Sequence, residues 1–385
     1  MEYKLLSEVS VYRKDRIGSD KVNKGNYIST ENMLSNRGGV ENATTVASAK
    51  TFPAYKKGDI LLSNIRPYFK KIWYATQEGG CSNDVLVVKA GKTVDVRISD
   101  NNFFNYSTVT SKGTKMPRGS KNAIMKYWVP NLDLPTQKKI ADILSSYDKL
   151  IKANNERIEL LEQTAQELYK EWFVRFRFPG YENAKFEDGI PEGWERNKIQ
   201  KYYNTCSGGT PSRSKPEYFE NGVYPWVKTG EIKDCVIIDT EESITQEAVN
   251  SSSAKVLSAK SVAMAMYGVN IGLLAYFDSE MTCNQACCVF SDKRGFSSKH
   301  YLYYYLKSIR EYLLLISFGA AQQNLSQDLI KKIKITMPSD DIIQDFEKRI
   351  DDIYESIRIL LMQNKNLAKQ RDMLLPRLMS GKLEV

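Results

Sequence analysis

Residues 140–168 read IADILSSYDKLIKANNERIELLEQTAQEL. Within them Ile140, Leu144, Tyr147, Ile151, Asn154, Ile158, Leu161, Ala165 and Leu168 follow one another in steps of four and three without a break. That spacing is the seam of a coiled coil, because a strict seven-residue repeat keeps one narrow apolar stripe turned toward a partner helix. A helix lying on a globular domain shows a wider apolar face that drifts around the axis. The helix is expected to start at Leu134-Pro135-Thr136-Gln137, with Asp133 or Thr136 as its cap, and to end near Phe178-Pro179-Gly180. A second seam steps through Phe346, Ile350, Ile353, Ile357, Leu360, Asn364, Leu367, Arg371 and Leu374. Each seam has a polar asparagine, Asn154 and Asn364. If the helices pair antiparallel, these asparagines are candidates to fix the register.

Each seam follows a loop-rich, β-rich stretch, and the two halves repeat. A shift of 202 residues pairs Ile60-Leu61-Leu62-Ser63 with Val262-Ala263-Met264-Ala265, Tyr74 with Tyr276, Cys81 with Cys283 and Val87 with Val289. A shift of 206 pairs Gly113 with Gly319, Ser120 with Ser326, Ile124 with Ile330 and Val129 with Ile335, then carries through both helices. In that register Asn154 faces Leu360 and Ile158 faces Asn364. A duplicated unit with a constant spacer and two divergent heads suits the reading of two different things at a fixed separation. The fold class expected is α+β: two mixed, β-rich domains separated by two long helices, in an internal repeat. The expected domains are 1–133, the helix 134–180, a linker 181–195, a second head 196–337, and a C-terminal helix and tail 338–385. Strands are predicted at Ile60–Ser63, Ile72–Ala75 and Val85–Val88. Helices of roughly 35 to 40 residues span about 55–60 Å, about one and a half turns of B-DNA at ~34 Å each.

The 385 residues carry a formal net charge of +9 and are 42% hydrophobic. A core is affordable, and the charge favours a polyanionic partner, nucleic acid before membrane. No apolar run approaches the ~18 residues of a membrane span. Met1-Glu2-Tyr3-Lys4 does not open a secretory leader, and the expected compartment is the cytoplasm. The six cysteines form no CxxC pair, so reduced, buried thiols are expected. His300 is the one histidine, which leaves no metal-binding pattern.

The strongest charge feature is Asn101–Leu132, free of Asp and Glu but holding Lys112, Lys115, Arg118, Lys121 and Lys126. Within it, Ser111–Ser120 reads as a flexible basic loop whose cations neutralise phosphates or reach a guanine edge, or as a solvated loop with no partner. The loop at the matching place in the second half is Gly319–Ser326, with Gln322, Gln323 and Asn324, whose amides suit adenine N6 and N7. Further DNA-binding candidates are Asn64, Arg66 and Lys70 in the first head, and Thr210, Ser212, Arg213, Lys228, Tyr267 and Asn270 in the second. Each of these alone reads first as a plain surface residue and only second as a base contact. Tyr301, Tyr303, Tyr304 and Tyr305 read as helix packing. Gly91-Lys92-Thr93 lacks the earlier glycine of a phosphate loop. The chain has no Pro-Pro pair, no dinucleotide-binding glycine fingerprint and no histidine cluster, so it does not read as an enzyme.

The chain resembles the specificity subunit of type I restriction-modification enzymes along essentially its whole length. The resemblance is carried by Leu134-Pro135-Thr136-Gln137-Lys138-Lys139-Ile140-Ala141-Asp142-Ile143-Leu144, by residues 165–176 (AQELYKEWFVRF), and by residues 371–383 (RDMLLPRLMSGKL). Gly189-Ile190-Pro191-Glu192-Gly193-Trp194 and Gly208-Gly209-Thr210-Pro211-Ser212 add to it. It implies a non-catalytic subunit whose two target recognition domains, related by an internal pseudo-twofold, each read half of a bipartite double-stranded DNA sequence, while the two helices pair as an antiparallel coiled coil and set the spacing. It implies docking of two modification subunits, which carry S-adenosylmethionine and methylate a flipped-out adenine, and of restriction subunits that use ATP and Mg. The chain itself would hold no cofactor. Tyr169, Trp172, Phe173 and Leu378 are the candidates for the subunit interface, with packing inside the chain as the other reading. Inserting four residues near Ala153 is expected to change the gap and leave the half-sites alone. Two alternatives stand beside this reading. One is a specificity subunit of a combined nuclease-methyltransferase (type IIB-like) system, which the catalytic chain would distinguish. The other is a coiled-coil scaffold that never touches DNA; it explains the seams but not the acid-free basic stretch.

Overall fold

The computed structural model describes residues 2–89, 98, 101–317, 324–379 and 383. The chain divides into two units, Met1–Ile151 with Asn366–Val385, and Lys152–Lys365. Both mix short strands with helices, an α+β fold. Among the described residues no helix is long and apolar enough to cross a membrane.

The first unit is organised around β1 (Ile60–Ser63), which pairs antiparallel with β2 (Ile72–Tyr74) and with β3 (Val85–Lys89). All of β1 is buried, because both of its faces are covered. Ile60 and Leu62, with Leu86 and Val88, pack on Leu6, Phe103, Phe104, Ile124 and Val129. The alternate residues, Leu61, Val85 and Val87, pack on Ile28, Met33, Tyr55 and Cys81. A strand clad on both sides reads as a continuous apolar run, which is why Ile60-Leu61-Leu62 has no polar alternation.

The second unit rebuilds this around β4 (Val262–Ala265), β5 (Leu274–Phe277) and β6 (Cys287–Asp292). Ile60 lies opposite Tyr74 and Val88, and Val262 lies opposite Tyr276 and Phe290, every partner 202 residues on. An outer pair repeats as well: Lys4 faces Val129 in one unit and Asn197 faces Ile335 in the other. The repeat seen in the letters is therefore a repeat of hydrogen-bond register. Its slip from 202 to 206 is four residues added between β6 and the loop that returns beside β4.

The long helices are α1 (Leu134–Tyr169) and, at the C-terminal end, α3 (Asp340–Met379), with the shorter α2 (Lys299–Ser308) between them. Asp133 caps α1, its Oδ1 accepting the Thr136 N–H at 2.9 Å. In the first unit, Ile140 and Leu144 of α1 bury with Leu375 and Leu378 of α3, and Arg371 donates to Asp148 at 2.5 Å. In the second, Asn154 Nδ2 donates to Asn364 Oδ1 at 2.9 Å and Asn364 Nδ2 to Asn155 Oδ1 at 2.7 Å. Just beyond the end of α1, Trp172 meets Phe346 at 5.8 Å. Within each unit, rising numbers on one helix meet falling numbers on the other, so the pairing is antiparallel. It joins the two asparagines that the repeat register leaves out of line. The α-helix also stops short of Gly180: Lys170–Val174 form a π turn, and Phe176 takes a left-handed backbone at φ +55°.

A buried acid ties α3 to α2. Glu347 accepts the N–H groups of Tyr301 at 2.9 Å and His300 at 3.3 Å, supplying acceptors to donors that the helix cannot satisfy itself. Burial nevertheless pushes the Glu347 carboxyl up to about 8. Burial pushes the enclosed His300 down to about 4, although its Nε2 meets Asp351 Oδ1 at 3.0 Å. A raised folded-state pKa stabilises at low pH and is lost as pH climbs, for Glu347 between 4.5 and about 8. A lowered one stabilises at high pH and is lost on acidification, for His300 between 6.5 and about 4. The two oppose each other below pH 6.5, and above it Glu347 acts alone. Unfolding in urea is expected to show a loss of about 2 kcal/mol from pH 6.5 to 8, with the slope absent in Glu347→Gln. Equal slopes in both proteins would refute this origin.

Candidate nucleic-acid interface

The loop between β1 and β2 and the basic loop before Ser120 form one surface in the first unit. Lys112 and Arg118 exchange backbone hydrogen bonds, each of 2.9 Å, closing the basic loop with Gly113 at φ +95°. The closed loop then docks on the β1–β2 loop: Arg66 N–H donates to the Pro117 carbonyl at 2.8 Å and Gly119 N–H to the Asn64 carbonyl at 2.9 Å. Asn64, Arg66, Lys112 and Arg118 are thereby brought together. Lys115 is exposed in the same loop. Lys121 is exposed in the first turn of a short helix capped by the Ser120 hydroxyl. Lys70 stands at the far end of the β1–β2 loop, its ammonium on Asn101 Oδ1 at 2.9 Å. Arg118 reaches Asp84 at 3.2 Å, but both side chains are exposed and the pair is solvent-screened. Asn64 is buried, so its neighbours rather than its own amide face outward.

The second unit builds the same ladder with other side chains. Leu325 N–H donates to the Met266 carbonyl at 2.9 Å, as Gly119 does to Asn64, and Tyr267 bridges to Asn324 where Ile65 bridges to Arg118. Tyr267 is 38% exposed, enough ring to stack on a base. Gln322 and Gln323 lie outside the described residues. Thr210 Oγ1 and Gln285 Oε1 are 2.5 Å apart, and the Ala286 carbonyl next to Gln285 takes the Met266 N–H at 2.9 Å, so Thr210 belongs to this surface.

Three candidates have structural duties. Asn270 spends its amide on the Thr229 and Ile232 carbonyls at 2.9 and 3.1 Å, so it holds the loop rather than presenting a free reader. Arg213 pairs with Glu242 at 2.7 Å and lies over Phe219 and Trp226 at 4.3 and 5.1 Å. Lys228 is held by Glu241 at 2.8 Å; burial alone would lower its pKa, and the acids outweigh it. Ser212 is exposed, with its hydroxyl 2.8 Å from that of Ser214.

Two residues escaped the sequence reading. Asn83 and Gln285 are exposed in the turns before β3 and β6, 202 residues apart, beside the carbonyls of Asp84 and Ala286 that hold Asn64 and Met266. The signal was an amide at the same place in both repeats.

The residues expected at a subunit interface are corrected by burial. Tyr169, Trp172 and Phe173 are 4, 5 and 8% exposed in the core of the second unit, and Leu378 is 2% exposed in the first. Phe173 lies 4.7 Å from Tyr301 and 4.8 Å from Phe346. Aromatic rings this enclosed stabilise the chain that holds them and offer a partner almost no surface.

A family model for the type I restriction modification DNA specificity domain matches residues 2–163 and 191–369. The specificity subunit of the type I restriction enzyme HindI of Haemophilus influenzae is 25% identical over 406 residues, covering 86% of this chain and 87% of that protein. The MjaIX specificity subunit of Methanocaldococcus jannaschii is 27% identical over 367 residues, covering 90% and 81%. The crystal structure of a type I restriction-modification S subunit from M. genitalium shares the fold, with a TM-score of 0.53 at 13% identity over 98% of this chain and 96% of that one.

Proposed function

Because the chain belongs to the type I restriction-modification DNA specificity family, we propose that it reads a two-part sequence in double-stranded DNA, one half with each unit. The observation that carries this is the loop ladder built twice in one hydrogen-bond register with different side chains: cations around Asn64–Arg118, and an aromatic with amides around Tyr267–Asn324. Lysine and arginine neutralise phosphates and reach guanine, while amides suit adenine and a tyrosine face stacks. A scaffold that never touches DNA accounts for the helices but not for this duplication.

In this role the chain supplies recognition and its partners supply chemistry. Two modification subunits bring S-adenosylmethionine and methylate adenine after flipping it from the duplex. Restriction subunits bring ATP hydrolysis and Mg-dependent cleavage. With Tyr169, Trp172, Phe173 and Leu378 committed to the core, docking falls to apolar side chains that stay exposed on the helices: Leu150 and Met373 in the first unit, Leu160, Ile359 and Met362 in the second.

The test is a map of N6-methyladenine in cells expressing the modification subunit with and without this chain. A two-part motif with a fixed gap is expected only when the chain is present. Methylation that is identical without it would reject the role.

A further inference from the structure

Arg66 and Lys70 both have left-handed backbone, at φ +50° and +53°. The places equivalent to them in the second unit are Gly268 and Gly272, at φ +78° and +76°. The equivalence rests on register rather than letters. β1 and β4 meet their neighbours 202 residues apart, and the Phe69 N–H bonds the Arg66 carbonyl just as the Ile271 N–H bonds that of Gly268. The loop therefore asks for positive φ at both places. Glycine supplies it without steric cost, whereas a residue with a Cβ adopts it against steric repulsion. Backbone shape does not call for a cation at either position, so the side chains must. Lys70 is engaged by Asn101. Arg66 is not so engaged: its buried Nε finds no acceptor among the described residues, and nor does the buried Asn64 Oδ1 find a donor two residues earlier. The Arg66 guanidinium carbon stands 6.0 Å from the Phe69 ring centroid, and its backbone is tied to the basic loop through Pro117. A planar donor fork held this way matches a pair of acceptors, which a single ammonium does not.

We propose that Arg66 is a DNA-contacting residue of the first unit, its donor fork taken by paired acceptors of the half-site, either guanine O6 and N7 or phosphate oxygens. The proposal rests on the DNA-reading role above. Arg66→Gly gives the first unit the residue that the second already uses. Relief of strain and the added freedom of the unfolded chain nearly offset, so the melting temperature is expected to stay within a few degrees. Arg66→Asn, also tolerated at positive φ, provides a second uncharged variant.

The assay is binding of the complex of this chain with its modification subunit to a duplex carrying the mapped target, alongside the methylated motif. Both variants are expected to bind about tenfold or more weakly. A motif relaxed at one position of one half, with the other half intact, identifies a base edge. An unchanged motif with a shallower salt dependence identifies phosphate. Arg66→Lys restores binding in the phosphate case and fails in the base case. Unchanged affinity and motif in both uncharged variants overturns the proposal. A wild-type complex with no two-part motif would instead sink the DNA-reading role itself, so the two failures are separable.

Discussion

Phe346→Ala is expected to destabilise the second unit by about 3–5 kcal/mol, the range for removing a fully enclosed aromatic side chain. Phe346 has no exposed surface. Its ring stands 4.8 Å from Phe173, 5.8 Å from Trp172 and 6.4 Å from Tyr169, so one side chain of α3 fills the space among three from the end of α1. Two of these rings, Trp172 and Phe173, sit in a π turn, whose irregular backbone is poorly suited to collapse inward and refill the cavity. The adjoining residue, Glu347, caps α2, so a shift of α3 to close the hole would also withdraw an acceptor from Tyr301 N–H. Both effects keep the loss at the high end. Urea unfolding followed by tryptophan fluorescence measures it, since Trp172 lines the cavity. A change under about 1 kcal/mol would mean that the ring cluster is loosely packed and that Trp172 and Phe173 remain candidates for a partner's surface after all.

That cluster also shows what a sequence conceals. The seams were legible because a heptad pattern is a local property, and the strands around Ile60 and Val262 were legible because burial on both faces leaves an unbroken apolar run. The fate of Tyr169, Trp172 and Phe173 was not. An aromatic cluster at a helix end looks the same whether it faces a partner or its own chain, and here the deciding groups are Tyr301, Tyr304 and Phe346, far away in the sequence. The meeting of Asn154 with Asn364 was hidden for a related reason: the repeat aligns the helices head to head, whereas packing runs them head to tail. At the candidate interface, charge and loop position pointed to Lys112–Arg118 and Tyr267. Asn270 carries the same signal and spends its amide on two backbone carbonyls, a use that only coordinates reveal.

The antiparallel pairing also redesigns the test of the helices as a ruler. Four residues added to α1 alone near Ala153 would carry Asn154 about 6 Å along the axis from Asn364 and rotate the remaining seam against its partner, a stutter that locally unwinds the coiled coil. Such a protein is expected to lose activity without reporting on spacing. A heptad preserves the seam, and matched insertions preserve the pairing. Seven residues after Ala153 together with seven after Asn364 keep Asn154 facing Asn364 and lengthen the pair by about 10.5 Å. At ~3.4 Å per base pair this is about three base pairs. If the paired helices set the gap, the methylated motif should retain both half-sites and widen by about three base pairs. The cost is in phase: three base pairs turn the second half-site by roughly 100° at ~10.5 pairs per turn, so DNA twist must absorb the mismatch, and methylation is expected to be slower as well as displaced. A motif of unchanged gap, read by a protein that melts like the parent, would show that the helices do not measure the distance.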